Sequence, residues 1–515
     1  MNPSRRKFLQ TSGSAACLAL VRPHASHFGN FNVAEDDALR ARLATDPLRP
    51  QFHLLPAKNW MNDPNGPIHW KGKYHMFFQY NPNAAVWGDM HWNHAVSDDM
   101  VRWKHLPIAL APTPGGNDAD GCFTGSAVDD HGIATILYTG VKTVVPDRAT
   151  LRDGHANFRE VQCLATSKDP QLRTWEKWKT PVIEPPAEPG LTGFRDPFLW
   201  RDGDVWYLGV ASGLRGVGGR VLLYQSKDLR SWEYLHALAS GKWTERESKN
   251  PVDSGEMWEC PDFFPLGKKH VLLYSTAGGV YWESGELDPK ELMFHSERRG
   301  ILDHGAYYAQ KTQVDARKNR ILWGWITEKR SDDELRAAGW AGCIALPRVL
   351  SLSDDGELEM QVAPEVRSLR AKGFSMQRSS SAEERRAAAD KFVIDGLAGE
   401  YFWQTASAAD SALVLSDRAG EWISIGVQLQ KDVTKLTVNG KTIDLPASDR
   451  PHREFRLFVD GSVAELICDD RHAITSRIYR KPDGLLRVAA ESTLARFIQL
   501  EAWQVRPISG DRLTT

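Results

Sequence analysis

Apolar residues in this chain come in short bursts. Runs such as Tyr74 to Tyr80, Ala134 to Tyr138, Val205 to Val210, Val221 to Tyr224, Val271 to Tyr274 and Ile321 to Trp325 mix aromatic and β-branched side chains, with Gly, Asp and Pro between them. That pattern predicts strands joined by turns, and between about residues 48 and 355 few stretches carry the period of a long amphipathic helix. One phrase recurs, as SDDMVRW from Ser97, SKDPQLRTW from Ser167 and SKDLRSW from Ser226. A Ser-x-Asp turn followed by a Trp anchor, repeated about every 60 to 70 residues, predicts one supersecondary unit used several times. Four-stranded propeller blades fit that length, and residues 48–360 hold about five.

The pattern changes after Val362. Ala363 to Arg370 reads as a short helix, and Ser375 to Lys391 is rich in Ser, Ala and charge, so 361–391 is predicted to be a linker. From Phe392 short strands resume, at Trp422 to Leu429, Leu436 to Val438, Phe455 to Val459, Ala464 to Ile467, Ile474 to Tyr479 and Phe497 to Leu500, giving a second all-β domain over 392–510.

Composition narrows the function classes. The 515 residues carry a formal charge of −2, which offers no basic field for nucleic acid and no polybasic membrane patch. Nineteen Trp and nineteen Phe suit either packed cores or sugar-stacking surfaces. Residues 1–30 begin Ser4-Arg5-Arg6-Lys7-Phe8-Leu9 and continue with a mildly apolar run from Ala15 to Val21, a pattern similar to a twin-arginine export signal. The run is too short to span a bilayer, so the expectation is a soluble periplasmic or secreted protein with no membrane insertion of the mature chain. Without Cys17 the cysteines are Cys122, Cys163, Cys260, Cys343 and Cys468, an odd number with no CxxC pair. Neither a disulfide framework nor a metal site is expected, and no cofactor is implied.

Three acids stand out against aromatic surroundings: Asp63 in WMNDPNG, Asp196 in FRDPF and Glu259 in MWECPDFF, each followed closely by proline. Asp63-Pro64 reads as extended or turn backbone, and Asn65-Gly66 as a hairpin turn, which predicts Asp63 at a strand end. Carboxylates among large apolar side chains are costly unless they face a shared polar cavity. Inner strands of successive blades would bring them to one channel. Cleavage of a glycosidic bond needs such a pair, one ionised and one protonated.

The segments FHLLPAKNWMNDPNGP, YHMFFQYNP, DGCFTGSA, FRDP, MWECPDFFP, YYAQKT, ILWGW and GWAGCIALPR, in that order, resemble family 32 of the glycoside hydrolases, the invertases, levanases and inulinases. The likeness is dense over about residues 50 to 350; RLFVDGSVAELICDDRHAITSRIY resembles that family's C-terminal β-sandwich. It implies a five-bladed β-propeller followed by a β-sandwich, and a retaining hydrolase that releases fructose from sucrose or β-fructans. On that likeness Asp63 matches the nucleophile, Glu259 the general acid/base and Asp196 the transition-state stabiliser. Arg195 is placed to pair with a carboxylate, and Asn62, Gln79, Trp87, Phe123, Thr124 and Tyr308 match pocket-lining positions. Thr124 stands where FSGS-type members carry Ser. The two carboxyls of a retaining enzyme lie about 5 to 5.5 Å apart, and Glu259 is expected to be held protonated by burial among Met257, Trp258 and Cys260.

Other readings use the same features. A non-catalytic sugar-binding propeller predicts loss of a carboxylate, and all three are present. A sialidase predicts a tyrosine nucleophile, for which WMNDPNG has no place. A fructosyltransferase would use the same residues and pass the sugar to a hydroxyl in place of water. The loops Val144 to Arg159 and Ala237 to Gly255 are expected to choose among substrates.

Overall fold

The computed structural model describes residues 33–510, apart from 155, 378–380, 382, 385–392, 395–396, 431–432, 449 and 489–496. Residues 1–30, expected to be an export signal, and most of the stretch from Ser375 to Lys391 therefore lie outside the described residues. No helix among the described residues is long and apolar enough to cross a membrane.

Five antiparallel sheets follow one another along the first two thirds of the chain. Their first strands are β1 (Asn59–Trp70), β2 (Gly121–Asp130), β3 (Leu191–Asp202), β4 (Glu259–Leu266) and β5 (Tyr307–Val314). Each lies beside the next, and β5 returns beside β1, so the first strands line a common axis as in a propeller. The ring closes without a covalent link: Trp340–Ala341 pairs in parallel with Asn59 and Trp60, and Asn59 N donates to Gly339 O at 2.8 Å.

The recurring phrase is the turn between the third and fourth strands of a sheet. In each copy an Asp side chain accepts backbone N–H groups: Asp99 from Val101 and Arg102, Asp169 from Gln171 and Arg173, Asp228 from Arg230 and Ser231. Met100, Leu172 and Leu229 sit at φ 62°, 56° and 60°, a conformation whose strain the Asp bonds offset. A fourth copy is hidden in LDPKELMF, where Asp288 accepts from Lys290 and Glu291 and Leu292 sits at φ 55° without the Ser or the Trp.

Two local expectations change. Asp63 is not at a strand end; it lies within β1, and Asn65-Gly66 continues that strand. The hairpin turn is Lys71-Gly72, with φ 47° and 83°, between the paired Trp70 and Lys73. Gly66 is required for close packing instead: at φ 42° a Cβ there would meet Ala127 N of β2 at 2.8 Å.

The C-terminal region forms two six-stranded sheets packed on Tyr401, Trp403, Leu413, Ile423, Leu457 and Leu466. One sheet includes Arg370–Gln377, inside the stretch expected to be linker, paired with the last strand Phe497–Val505.

A buried ionic network joins this sandwich to the propeller. His53 Nδ1 lies 2.7 Å from Asp460 and Nε2 2.8 Å from Glu465; Arg348 donates to Glu465 at 2.6 Å and to Asp303 at 3.1 Å. Asp460 also accepts the backbone N–H groups of Gln51, Phe52 and His53. Burial works against charge on His53, but bonding to Asp460 and Glu465 prevails and holds it up at about 9. Burial likewise opposes the charge on Glu465, which Arg348 and His53 bring down to about 2. A raised His contributes fully below its unfolded value of 6.5 and is lost as pH rises through 9; a depressed Glu contributes above 4.5 and is lost through 2. The junction is therefore tightest between about pH 4.5 and 6.5. The wild type is expected to lose stability from pH 7 to 9, and His53→Gln to lower Tm at pH 6 and flatten that decline; equal slopes in thermal unfolding would refute this.

Candidate active site

The site is made by a break in regular pairing, repeated in all five first strands. Two residues of each stand against one of the neighbouring strand: Asn62 and Asp63 against Gln79, Phe123 and Thr124 against Thr139, Asp196 and Pro197 against Val210, Cys260 and Pro261 against Tyr274, Ala309 and Gln310 against Gly324. Such bulges turn a strand and re-aim its side chains. Asp196, Cys260 and Ala309 adopt φ values of 60°, 49° and 53°, which non-glycine residues reach only with strain. Prolines just after two of these positions remove N–H groups that an irregular pair could not satisfy.

The bulges bring the three acids together. Cys260 Sγ lies 3.5 Å from Asp63 Oδ2 and 3.5 Å from Asp196 Oδ2, so one sulfur separates two carboxylates. Asp63 Oδ1 accepts from Asn62 Nδ2 at 3.0 Å and Oδ2 from Thr124 Oγ1 at 2.7 Å, a set of donors matched to an ionised acid. Asn62 is itself fixed, accepting from Trp60 Nε1 at 2.8 Å and donating to Gln79 Oε1 at 2.9 Å, while Gln79 Nε2 donates to Thr124 Oγ1 at 2.7 Å. Trp87 and Phe123 meet edge to face at 6.0 Å beside this chain of bonds.

Asp196 Oδ2 accepts the backbone N–H of Cys260 at 2.9 Å, and its own N–H donates to Thr139 Oγ1 at 2.9 Å. Burial, aided by the negative charges of Glu259 and Asp63, pushes its carboxyl up to about 7 against the pull of Arg195. Glu259 is held from both sides, by Arg195 Nη2 at 2.7 Å and by Tyr308 OH at 2.6 Å.

Asn62, Asp63, Gln79, Thr124, Arg195, Asp196, Glu259 and Tyr308 join in this cluster, while Trp87 touches Phe123, the residue before Thr124; others also belong to the cluster. Glu160, fully buried on the third strand of the second sheet (Asn157–Ser167), accepts from Arg195 Nη1 at 2.8 Å. Thr139 holds Asp196, and Gln310 Nε2 and Lys311 Nζ donate to Cys260 O and Pro261 O at 2.9 and 3.0 Å, fixing the bulge of β4. Gln310 and Lys311 sit in YYAQKT and were legible as part of that motif; Glu160 carries no local signal, because its charged partner Arg195 comes from another sheet. All five described cysteines are buried and free, and no group of His, Cys, Asp and Glu among the described residues could hold a metal ion.

Residues 53–363 match the family described as "Glycosyl hydrolases family 32 N-terminal domain". The sucrose-6-phosphate hydrolase of Escherichia coli is 36% identical over 463 residues, covering 84% of this chain and 90% of that protein. The chain belongs to family 32 of the glycosyl hydrolases. Among solved structures, a mutant of the family 32 β-fructofuranosidase of Bombyx mori in complex with sucrose superposes with a TM-score of 0.75 at 28% identity, covering 92% of this chain and 97% of that one. Fructan 1-exohydrolase IIa of Cichorium intybus in complex with 1-kestose gives a TM-score of 0.73 at 26% identity, covering 90% and 98%. This family 32 enzyme thus shares a whole two-domain architecture with proteins solved in complex with saccharides.

Asp196 costs this hydrolase stability. Its carboxyl is raised from 3.8 to about 7, so the term is fully favourable below about pH 4 and is lost as pH rises through 7. Asp196→Asn keeps an acceptor for Cys260 N and removes the buried charge. Its Tm is expected to exceed that of the wild type above pH 7, the gap closing towards pH 4, while kcat falls about 10²-fold or more. A variant less stable than the wild type at pH 8 would contradict the assignment.

Proposed function

We propose that the enzyme releases fructose from sucrose or β-fructans by double displacement with retention of configuration. Asp63 attacks the anomeric carbon of the fructosyl unit while Glu259 gives its proton to the departing oxygen. The resulting ester between Asp63 and fructose is then hydrolysed: Glu259 takes a proton from water, the water oxygen bonds to the anomeric carbon, and the Asp63 carboxylate leaves. Asp196 binds hydroxyls of the fructosyl ring, and Arg195 and Tyr308 hold Glu259 in reach of the leaving group. Asn62, Gln79 and Thr124 fix Asp63, and Trp87 and Phe123 supply an aromatic wall.

The observation that carries this reading is the single cluster formed by the three acids, with Asp63 and Asp196 meeting at Cys260 and Glu259 tied to the same group through Arg195. The saccharide complexes of the insect and chicory relatives support the substrate class. The N-terminal Arg5-Arg6 segment supports export.

The two loops that the sequence marked line a cavity of about 560 Å³, where Arg152, Arg246 and Lys249, joined by Arg215 from a third loop, outnumber Glu247 and Glu256. Thr150, in its wall, donates to Glu160, so the cavity flanks the Glu259 side, where the leaving sugar departs. Its cations suit a leaving sugar that bears an anionic group, in keeping with the name of the Escherichia coli relative. A kcat/KM for sucrose 6-phosphate below that for sucrose would remove this refinement.

Asp63→Ala is expected to abolish fructose release without unfolding the protein, and Glu259→Ala to lower it about 10²–10⁴-fold. With a nitrophenyl fructoside, whose departure needs no proton, azide is expected to restore turnover of Glu259→Ala and yield the β-fructosyl azide. An inverted first product from the wild type, or undiminished activity in either variant, would refute the mechanism.

A further inference from the structure

Glu259 has to be protonated to act as an acid, yet Arg195 donates to it at 2.7 Å. A guanidinium in that position favours the ionised form. The remainder of the geometry shows what offsets it. Arg195 is bonded through its other terminal nitrogen to Glu160 Oε1 at 2.8 Å, and its Nε lies 4.0 Å from Asp196. Burial opposes its charge, but Glu160, Glu259 and Asp196 together keep it firmly charged. Glu160 is itself held by two further donors on Oε2, Phe194 N at 2.7 Å and Thr150 Oγ1 at 3.0 Å. The carboxylate is thus fixed against the guanidinium from behind, on the side away from Glu259.

We propose that Glu160 is a positioning residue that keeps the proton on Glu259, by neutralising the charge of Arg195 while leaving its second arm to orient the acid. The proposal rests on Glu259 being the acid/base. With Glu160 present, Glu259 titrates beside a neutral Arg195–Glu160 pair and in the field of Asp63 and Asp196. Without it, the charge of Arg195 is opposed only by Asp196, at 4.0 Å, and by Glu259 itself. Among the other groups around Glu259 are Tyr308 in direct contact and Cys260 and Lys311 in the same cluster; all are retained when Glu160 is changed.

The test is the pH dependence of kcat, whose basic limb reports loss of the proton from the acid in the substrate complex. In Glu160→Gln that limb is expected to move to lower pH by about one unit or more, so kcat falls increasingly with pH. Glu160→Ala removes the charge without setting an amide against the guanidinium and is expected to shift the limb the same way. Glu160→Asp, which keeps the charge, is expected to hold the limb near its wild-type position. A limb that stays in place while kcat drops equally at every pH would show a structural role only and overturn the proposal, as would a shift to higher pH. Glu259→Ala, assayed in parallel, separates the two claims: if the basic limb persists there, it does not belong to Glu259 and the mechanism fails, not the role of Glu160.

Discussion

Everything in this active site depends on interrupted strand pairing at one level of the ring. A regular strand alternates its side chains between two faces and could offer the axis only every second residue. Inserting two residues against one at the same level of all five first strands breaks that alternation. It turns Asp63, Asp196 and Glu259 towards one another and leaves backbone N–H and C=O groups for neighbouring strands to satisfy. Cys260 N binds Asp196, Thr139 accepts from Asp196 N, and Gln310 and Lys311 cap the carbonyls of β4. The strain at Asp196, Cys260 and Ala309 is sustained because the ring around them is closed and packed.

The same economy governs charge. Three buried acids, Glu160, Asp196 and Glu259, lie against one guanidinium, and Asp63 adjoins them across Cys260. Burial first, and the neighbouring charges of Glu259 and Asp63 after it, push Asp196 up to about 7 and favour a retained proton near neutral pH. Arg195 bonds two of these acids directly, and Lys311 adds a second, more distant positive charge. At the junction with the sandwich the charges are more nearly balanced: Arg348 and the imidazolium of His53 meet Asp303, Asp460 and Glu465, and every oxygen of Glu465 has a donor. The junction favours the ionised forms of His53 and Glu465, whereas the candidate site favours the protonated form of Asp196.

Much of this was written in the chain in local form. The bursts of apolar residues gave strands, and the Ser-x-Asp…Trp phrase gave the repeat, because both depend on contacts within a few residues. Asp63, Asp196 and Glu259 were legible because proline and aromatic neighbours mark an acid that cannot simply be solvated. The hairpin assigned to Asn65-Gly66 went to Lys71-Gly72 because packing of β1 against β2 demanded a residue without Cβ at Gly66. Glu160 and the junction of His53 with Asp460 and Glu465 could not be read locally, since their partners lie on other sheets or in another domain. The fourth copy of the turn, around Asp288, escaped because the Asp alone supplies its geometry.

The claim that the bulged strands aim three acids at one sugar is tested most directly by a crystal structure of Glu259→Gln soaked with sucrose. The fructosyl unit is expected within hydrogen-bond reach of Asp63, Asp196 and Gln at position 259 together, with the carboxyl of Asp63 beneath the anomeric carbon. A sugar bound elsewhere, or any of the three side chains turned away from it, would contradict the account.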